Sequence, residues 1–239
     1  MKWQTLNVNN ADLYDVYQQK YGKTSDYQKA QKIMYSHPEI KASLGVALSW
    51  MNIKSGDIIL DIGVNNGYEL NLIEEHYGTQ LMNQISVIGF DLAEDVLVEA
   101  CDLFTCVKRF NFKFIKGDIR EFSGVDILTK EIHTVDDNSI DIVVALTSLQ
   151  SSSLVDQFDV FMDELVAKIK KDGRLFIAVP NCHVDDSNSV VKGMFDATTQ
   201  KIDAGLADIF IKRLEIKLSK YGFHFKQIGE FYHFLYFTR

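Results

Sequence analysis

The stretch that decides the fold is Ile58-Ile59-Leu60-Asp61-Ile62-Gly63-Val64-Asn65-Asn66-Gly67-Tyr68-Glu69-Leu70. An apolar run ends in an acid, Asp61, and opens into a turn with glycines at positions 63 and 67. Helix-compatible sequence follows at once, from Tyr68 to Tyr77. The order of strand, glycine-containing turn and helix predicts the front end of a nucleotide-binding βαβ unit.

The glycine spacing in this turn discriminates between two classes of ligand. A dinucleotide fingerprint needs glycines at positions 63, 65 and 68, and the last two positions hold Asn65 and Tyr68. The pattern present, acid-x-Gly-x-x-x-Gly, resembles the first motif of the class I S-adenosylmethionine-dependent methyltransferases. That family usually has a third glycine where Asn65 stands, and asparagine is the least costly replacement because it tolerates a positive φ. The resemblance implies cofactor contacts from Asp61, Gly63, Asn65 and Gly67.

Length and composition fit one α/β domain. The chain has 239 residues, of which 46% are hydrophobic and 24% are charged, and this is ordinary for a globular domain with a well-buried core. The formal net charge is -8 and the pI is about 5.2. A surface that binds nucleic-acid phosphates is normally basic, so nucleic acid is disfavoured as a substrate.

Cysteine spacing and hydropathy bear on compartment and on metal sites. Cys101, Cys106 and Cys182 lack the spacing of a zinc site or a disulfide framework, so no metal is predicted and a reducing compartment is indicated. No segment has the roughly 18 apolar residues of a membrane span, and residues 1–10 lack the apolar core of a signal peptide. These features predict a cytoplasmic protein without a membrane partner, and they leave the oligomeric state open.

Three later segments extend the resemblance along the chain. Ile85 to Asp91 is predicted to be a second strand, whose terminal acid can accept hydrogen bonds from both ribose hydroxyls. Phe112 to Ile119 is predicted to be the third strand with its exit, and in the family the acid at Asp118 takes the adenine amino group. An acidic turn before the strand at Ile142 to Leu146 matches the family's fourth motif. The resemblance implies further cofactor contacts from Leu92, Ile119, Ala145 and Leu146.

The remaining elements complete the predicted fold. Asp126 to Thr134 is interpreted as a connecting segment, and a helix from Val155 to Ile169 is expected to end with a C-cap at Gly173. The later elements are a fifth strand from Arg174 to Pro180, a helix from Ala207 to Lys220, and a hairpin of Phe223 to Phe231 with His233 to Thr238. The fold class predicted is α/β, a doubly wound, mostly parallel seven-stranded sheet with an antiparallel last strand.

Residues 1–52 are predicted to form an N-terminal helical cap on a core of residues 53–239. Two helices are expected before Pro38, and a third helix follows it. In the family such helices cover the cofactor and shape the substrate pocket, which implies substrate contacts from Tyr14, Tyr17 and Tyr21. The alternative is that these tyrosines only pack the helices together.

Polar segments after two strands are candidates for the acceptor site. Ligands of open parallel sheets bind beyond the carboxyl ends of the strands, which favours Thr147, Gln150 and Asn181. The polar insertion at about 181–206 is predicted to be a substrate loop, and its His183 is the candidate catalytic base. The alternatives are that His183 is a solvated loop residue and that Ser151 to Ser153 only cap the next helix.

The function predicted is transfer of a methyl group from S-adenosyl-L-methionine to a small-molecule acceptor by positioned in-line attack. The alternative is a non-catalytic cofactor-binding or scaffold subunit with the same fold. It is raised by Asn65, which stands where the family usually has glycine. The missing glycine pattern disfavours a third class, the nicotinamide-dependent oxidoreductases.

Overall fold

The computed structural model describes residues 35, 37–105, 111–146, 148–149, 157–180, 204–229 and 232–239. Its strands form one nine-stranded sheet in the order β5-β4-β3-β2-β1-β6-β7-β9-β8. The strands are β1 (Ile58–Ile62), β2 (Ser86–Asp91), β3 (Phe112–Lys116), β4 (Ser123–Asp126), β5 (Ile132–Thr134), β6 (Ile140–Leu146), β7 (Ile169–Pro180), β8 (His224–Ile228) and β9 (Tyr232–Thr238).

Helices cover both faces of this sheet. They are α1 (Pro38–Met51), α2 (Tyr68–Tyr77), α3 (Thr79–Met82), α4 (Glu94–Thr105), α5 (Phe158–Lys168) and α6 (Ala204–Ser219), with a 3₁₀ turn at Ile119–Glu121. Buried residues of α1, α2 and α4 share one core cluster, and those of α5 and α6 share the cluster on the opposite face. None of the helices in the described ranges is long and apolar enough to cross a membrane.

The strand directions confirm the predicted α/β fold class, but the sheet has nine strands and not the predicted seven. β3, β2, β1, β6 and β7 pair in parallel, and β9 lies antiparallel between β7 and β8. The chain builds outward from β1 through β2 to β3, and then returns to the other side of β1 with β6 and β7. The carboxyl end of β1 is therefore the topological switch point, where open α/β sheets bind their ligands.

The interpretation of Asp126 to Thr134 as a connecting segment is wrong. This region contributes to a hairpin of β4 and β5, which extends the sheet beyond β3 by antiparallel pairing. The Asp126 carboxylate closes the turn by accepting hydrogen bonds from the backbone N–H groups of Leu128 and Thr129, at 2.8 and 3.0 Å. Strands this short carry little hydrophobic alternation, which explains why the sequence pattern did not reveal them.

The predicted C-cap at Gly173 is also wrong. α5 ends at a cap residue, Ile169, in an extended conformation with φ -83° and ψ 133°. Gly173 lies inside β7, where the register against β6 shifts between Ile140 and Ile142. A Cβ on Gly173 would lie 2.3 Å from Cγ2 of Ile169, so lack of space explains this glycine.

The N-terminal cap is described only from residue 35 onward. α1 buries the apolar positions that its spacing predicted: Ile40, Leu44, Ala47, Leu48 and Met51. These side chains share a core cluster with sheet residues such as Phe234. The domain division at residue 52 stays a prediction.

Candidate cofactor site

The turn after β1 lies at the switch point and has an unusual backbone. Gly63, Asn65 and Gly67 have positive φ angles of 75°, 51° and 78°. The N–H groups of Gly63 and Val64 donate to the carbonyl oxygen of Phe90 in β2, at 2.8 and 3.0 Å. The turn is therefore held against the end of β2, and α2 begins directly after it.

Asn65 fits the position where the family usually has glycine. Its left-handed conformation is one that asparagine adopts more readily than other non-glycine residues. Its Oδ1 accepts a hydrogen bond from the backbone N–H of Asn66 at 2.7 Å. Its own backbone N–H donates to Oδ2 of Asp91 at 3.0 Å, so the turn is linked to the acid that ends β2.

Gly63 is required by a close approach between β1 and the exit of β6. A Cβ at position 63 would lie 2.6 Å from Cβ of Ser148, a distance that real Cβ atoms do not show. The Ser148 hydroxyl donates to the carbonyl oxygen of Ile62 and so holds the two segments together. Any larger residue at position 63 would have to displace this contact.

Asp91 is built into the turn. Its Oδ1 accepts from the N–H of Ala93 and its Oδ2 accepts from the N–H of Asn65, both at 3.0 Å. Burial raises the pKa of Asp91, and these backbone hydrogen bonds oppose the rise. A carboxylate has about four lone-pair positions, so Asp91 keeps acceptor capacity beside these backbone donors for a group such as a ribose hydroxyl.

Asp61 is a buried acid with an unused oxygen. The residue is 2% exposed, and within the described part of the chain its Oδ2 has no hydrogen-bond partner. Burial raises the pKa of Asp61 well above its ordinary value, and repulsion from Glu69 and Asp91 adds to the rise. An unused buried carboxylate oxygen at a ligand-binding edge is suited to a cationic or hydrogen-donating ligand.

Glu69 is a candidate site residue that was not among those predicted from the sequence. It lies in the first turn of α2 and is 4% exposed. Burial raises its pKa from 4.5 to about 8; a backbone hydrogen bond opposes this rise and the charge of Asp91 adds to it. A signal was present, because Glu69 precedes the buried Ile73 by four residues and so shares its helix face.

The predicted adenine side of the site contains an ion pair. Asp118 caps the 3₁₀ turn by accepting from the N–H of Arg120 at 3.0 Å, and its carboxylate also forms a salt bridge with the Arg120 guanidinium. Leu92 is 43% exposed at the end of β2, and Ile119 is buried. An adenine amino group would therefore share the Asp118 carboxylate with Arg120.

Two stacked tyrosines lie beside the turn, and neither was among the predicted site residues. The rings of Tyr35 and Tyr68 are stacked with centroids 5.9 Å apart, and Tyr68 is the first residue of α2, directly after Gly67. Aromatic residues were expected near the cofactor, but at positions 14, 17 and 21.

The other predicted site residues divide into two groups. Ala145 and Leu146 are buried at the carboxyl end of β6, next to the strand that carries Asp61. The remaining candidates lie outside the described residues: Tyr14, Tyr17, Tyr21, Thr147, Gln150, Asn181 and His183. Their assignments stay predictions. Within the described ranges, no group of three or more His, Cys, Asp or Glu residues could hold a metal ion.

No model of a protein family matches this sequence, and no curated protein sequence matches it. Solved structures do match it. An S-adenosylmethionine-dependent methyltransferase from Aquifex aeolicus is 15% identical, with a TM-score of 0.56 over 88% of this chain and 96% of that one. The CurJ carbon methyltransferase is 13% identical, with a TM-score of 0.59 over 93% of this chain and 60% of that one.

A third similar structure contains ligands. It is phosphoethanolamine N-methyltransferase 2 from Haemonchus contortus, in complex with phosphomonomethylethanolamine and S-adenosylhomocysteine. This structure is 15% identical in sequence, with a TM-score of 0.56 over 90% of this chain and 46% of that one. At this level of identity the matches establish the fold. The chain therefore has the fold of the class I S-adenosylmethionine-dependent methyltransferases.

Proposed function

We propose that this chain binds S-adenosyl-L-methionine at the turn after β1 and transfers its methyl group to a small-molecule acceptor. The observation that carries the proposal is the buried Asp61, whose Oδ2 lacks a partner in the described part of the chain, beside a turn whose glycine leaves no space for a side chain. This combination provides both backbone access and an acceptor for a positively charged ligand.

Four residues would hold the cofactor. Gly63 would let the backbone approach the cofactor, and Asp91 would offer its remaining acceptor capacity to the ribose hydroxyls. Asp61 would accept a hydrogen bond from the ammonium group of the cofactor. Asp118 would share its carboxylate between Arg120 and the adenine amino group. When bound, the cofactor supplies a methyl group that is activated by a sulfonium sulfur.

The proposal also specifies that the methyl acceptor is a small molecule. Its support is the acidic balance of the chain, with a net charge of -8, which does not suit a polyanionic substrate. The phosphoethanolamine enzyme of similar fold carries a small molecule in its structure. Positioning the acceptor in line with the methyl group supplies most of the rate when the acceptor is already nucleophilic.

Calorimetry with S-adenosylhomocysteine tests the proposal. We expect binding by the native chain and none by a Gly63→Val variant, because the new side chain would collide with Ser148. Gly56→Val is the matched control, since Gly56 also has a positive φ but a Cβ there would meet nothing within 4 Å. If the folded native chain fails to bind at millimolar ligand, the proposal is wrong.

The alternative, a non-catalytic subunit, was motivated by Asn65. The left-handed conformation of Asn65 weakens the case for this alternative, because asparagine adopts the turn conformation with little backbone strain. A screen of metabolites with labelled cofactor separates the two functions. Turnover by the isolated chain would exclude the non-catalytic role, and failure to bind NAD would exclude an oxidoreductase.

A further inference from the structure

The chain that follows β3 places an arginine beside the acid assigned to the adenine base. β3 ends at Lys116, which pairs with Asp91 in the register of β2 and β3. The next backbone N–H, of Gly117, donates to the carbonyl oxygen of Asp91 at 3.0 Å. The 3₁₀ turn at Ile119–Glu121 comes one residue later, with Asp118 as its N-cap. The turn therefore starts next to the acid that ends β2, at the edge of the sheet proposed to bind the cofactor.

The β4–β5 hairpin holds this turn in place. A Cβ on Gly117 would lie 2.6 Å from the carbonyl oxygen of Ser123, so the hairpin packs directly against the end of β3. The N–H of Val135, just after β5, donates at 2.8 Å to the carbonyl oxygen of Phe122, which is itself buried. The backbone that carries the turn is therefore fixed by contacts with the sheet.

Arg120 contacts Asp118 through its backbone and through its side chain. The backbone N–H donates to Oδ1 at 3.0 Å, and Nε–H donates to both carboxylate oxygens at 2.9 Å. One N–H of Nη2 also donates to Oδ2. A guanidinium has five N–H groups, so these contacts use two of them. In the described ranges, the other three donate to no protein group.

The turn does not need this guanidinium for its own structure. Its backbone hydrogen bonds run from the N–H of Glu121 to the carbonyl oxygen of Asp118 and from the N–H of Phe122 to that of Ile119. The backbone N–H of Arg120 already satisfies the capping carboxylate. The side chains of the pair are 28% and 24% exposed, and such a pair adds little to stability. A fork of unused donors beside a ligand-binding acid is instead suited to recognition.

We propose that Arg120 is a specificity-determining residue that donates a hydrogen bond to an acceptor on the edge of the bound purine, and that the site therefore takes the 6-oxo product S-inosylhomocysteine as well as S-adenosylhomocysteine. The inference rests on the proposed function, in which Asp118 contacts the amino group of adenine. Adenine has a donor at position 6 and an acceptor at N1, whereas hypoxanthine has the acceptor at position 6 and the donor at N1.

The Arg120–Asp118 pair suits both arrangements, because it sets donors and acceptors side by side. A carboxylate without the guanidinium only accepts hydrogen bonds, so it repels the oxygen at position 6 of hypoxanthine. The guanidinium supplies the missing donor and compensates the negative charge. Removal of Arg120 should therefore weaken the binding of the 6-oxo ligand much more than the binding of the 6-amino ligand.

The experiment is calorimetry with S-adenosylhomocysteine and S-inosylhomocysteine, and the readout is the ratio of their dissociation constants. In the native chain, the 6-oxo ligand should bind within about tenfold of the 6-amino ligand. A hydrogen bond to a charged group corresponds to roughly ten- to hundredfold in affinity. Because the pair is partly exposed, Arg120→Met should raise the ratio by about tenfold, at the lower end of that range. Arg120→Lys keeps the charge and a donor, and should raise the ratio less.

Lys116→Met is the matched control. It removes one positive charge from the same strand end, but the partner of Lys116 is Glu94, at 2.7 Å. This variant should keep the native ratio, because Lys116 is not part of the proposed site.

Three results would overturn the inference and leave the proposed function intact. They are a native ratio above about tenfold, an unchanged ratio in folded Arg120→Met and Arg120→Lys, and an equal rise in Lys116→Met. Circular dichroism checks that each variant is folded. Failure of the native chain to bind S-adenosylhomocysteine would instead overturn the proposed function.

Discussion

Two substitutions of Asn65 test the geometry of the turn after β1. Asn65→Gly keeps the left-handed conformation without strain and loses the hydrogen bond from Asn66 N–H to Oδ1. That bond contributes about 0.5–1.5 kcal/mol. Relief of backbone strain offsets part of this loss, so Asn65→Gly should lower the free energy of unfolding by less than about 1 kcal/mol.

Asn65→Ala loses the same hydrogen bond and gains strain, because alanine is disfavoured at a φ of 51°. The left-handed conformation costs a residue with a Cβ about 1–2 kcal/mol more than glycine. The alanine variant should therefore be about 1–2 kcal/mol less stable than the glycine variant. Urea-induced unfolding, followed by circular dichroism, measures this difference, and calorimetry with S-adenosylhomocysteine measures its effect on binding.

Asn138 provides the control for this comparison. It also has a positive φ, 53°, but it lies in the turn before β6, at the opposite edge of the sheet. Its alanine and glycine variants should differ in stability by a similar amount, about 1–2 kcal/mol, and should bind S-adenosylhomocysteine equally well. Equal stability of Asn65→Ala and Asn65→Gly would refute a left-handed residue 65 and, with it, the account of the turn.

Three further predictions concern buried charges. Arg174→Met should lower the free energy of unfolding in urea by about 3–5 kcal/mol, because it leaves the buried Asp57 carboxylate without its ion-pair partner. Adding Asp57→Asn should recover part of this loss. Asp91→Ala should weaken S-adenosylhomocysteine binding by about 1.5–3 kcal/mol in calorimetry, and an unchanged affinity would contradict its role. Folded Glu69 keeps its proton up to a pKa of about 8, compared with 4.5 ordinarily, so the folded state binds more protons between these values. Stability of the ligand-free chain should therefore fall as the pH rises through this window, and less so in Glu69→Gln, as thermal unfolding at several pH values would show.

The long parallel strands and the glycine turn could be predicted from sequence because their signals are local. β1 begins with an apolar run, Ile58 to Leu60, as expected for a strand buried on both faces, and α2 begins and ends at the predicted residues, Tyr68 and Tyr77. The β4–β5 hairpin could not be predicted in this way, because its strands are short and are defined by pairing with β3.

The candidate site shows the same division between local and long-range information. Gly63 and Asp91 are recognisable because Gly63 directly follows β1 and Asp91 is the last residue of β2. Glu69 was missed because a glutamate near a helix start is usually an exposed residue that complements the helix dipole. The spacing of Glu69 from Ile73 indicates a shared helix face, but the packing of α2 is needed to show that Glu69 is buried. The register of β1 and β2 pairs Asp61 with Gly89, two residues before Asp91.

Buried charge is compensated differently at the two edges of the sheet, and this difference supports the proposed cofactor site. At the amino edge, Arg174 binds Asp57 at 2.8 Å, with side chains 11% and 10% exposed, so a buried cation compensates a buried acid. At the carboxyl edge, burial raises the pKa of Asp61, Glu69 and Asp91, and repulsion from a nearby acid adds to each rise. A fold selected for stability alone would not collect acids in this way, because each adds a desolvation cost. Burial of acids at the switch point is therefore explained by a positively charged ligand, as the proposed cofactor would be.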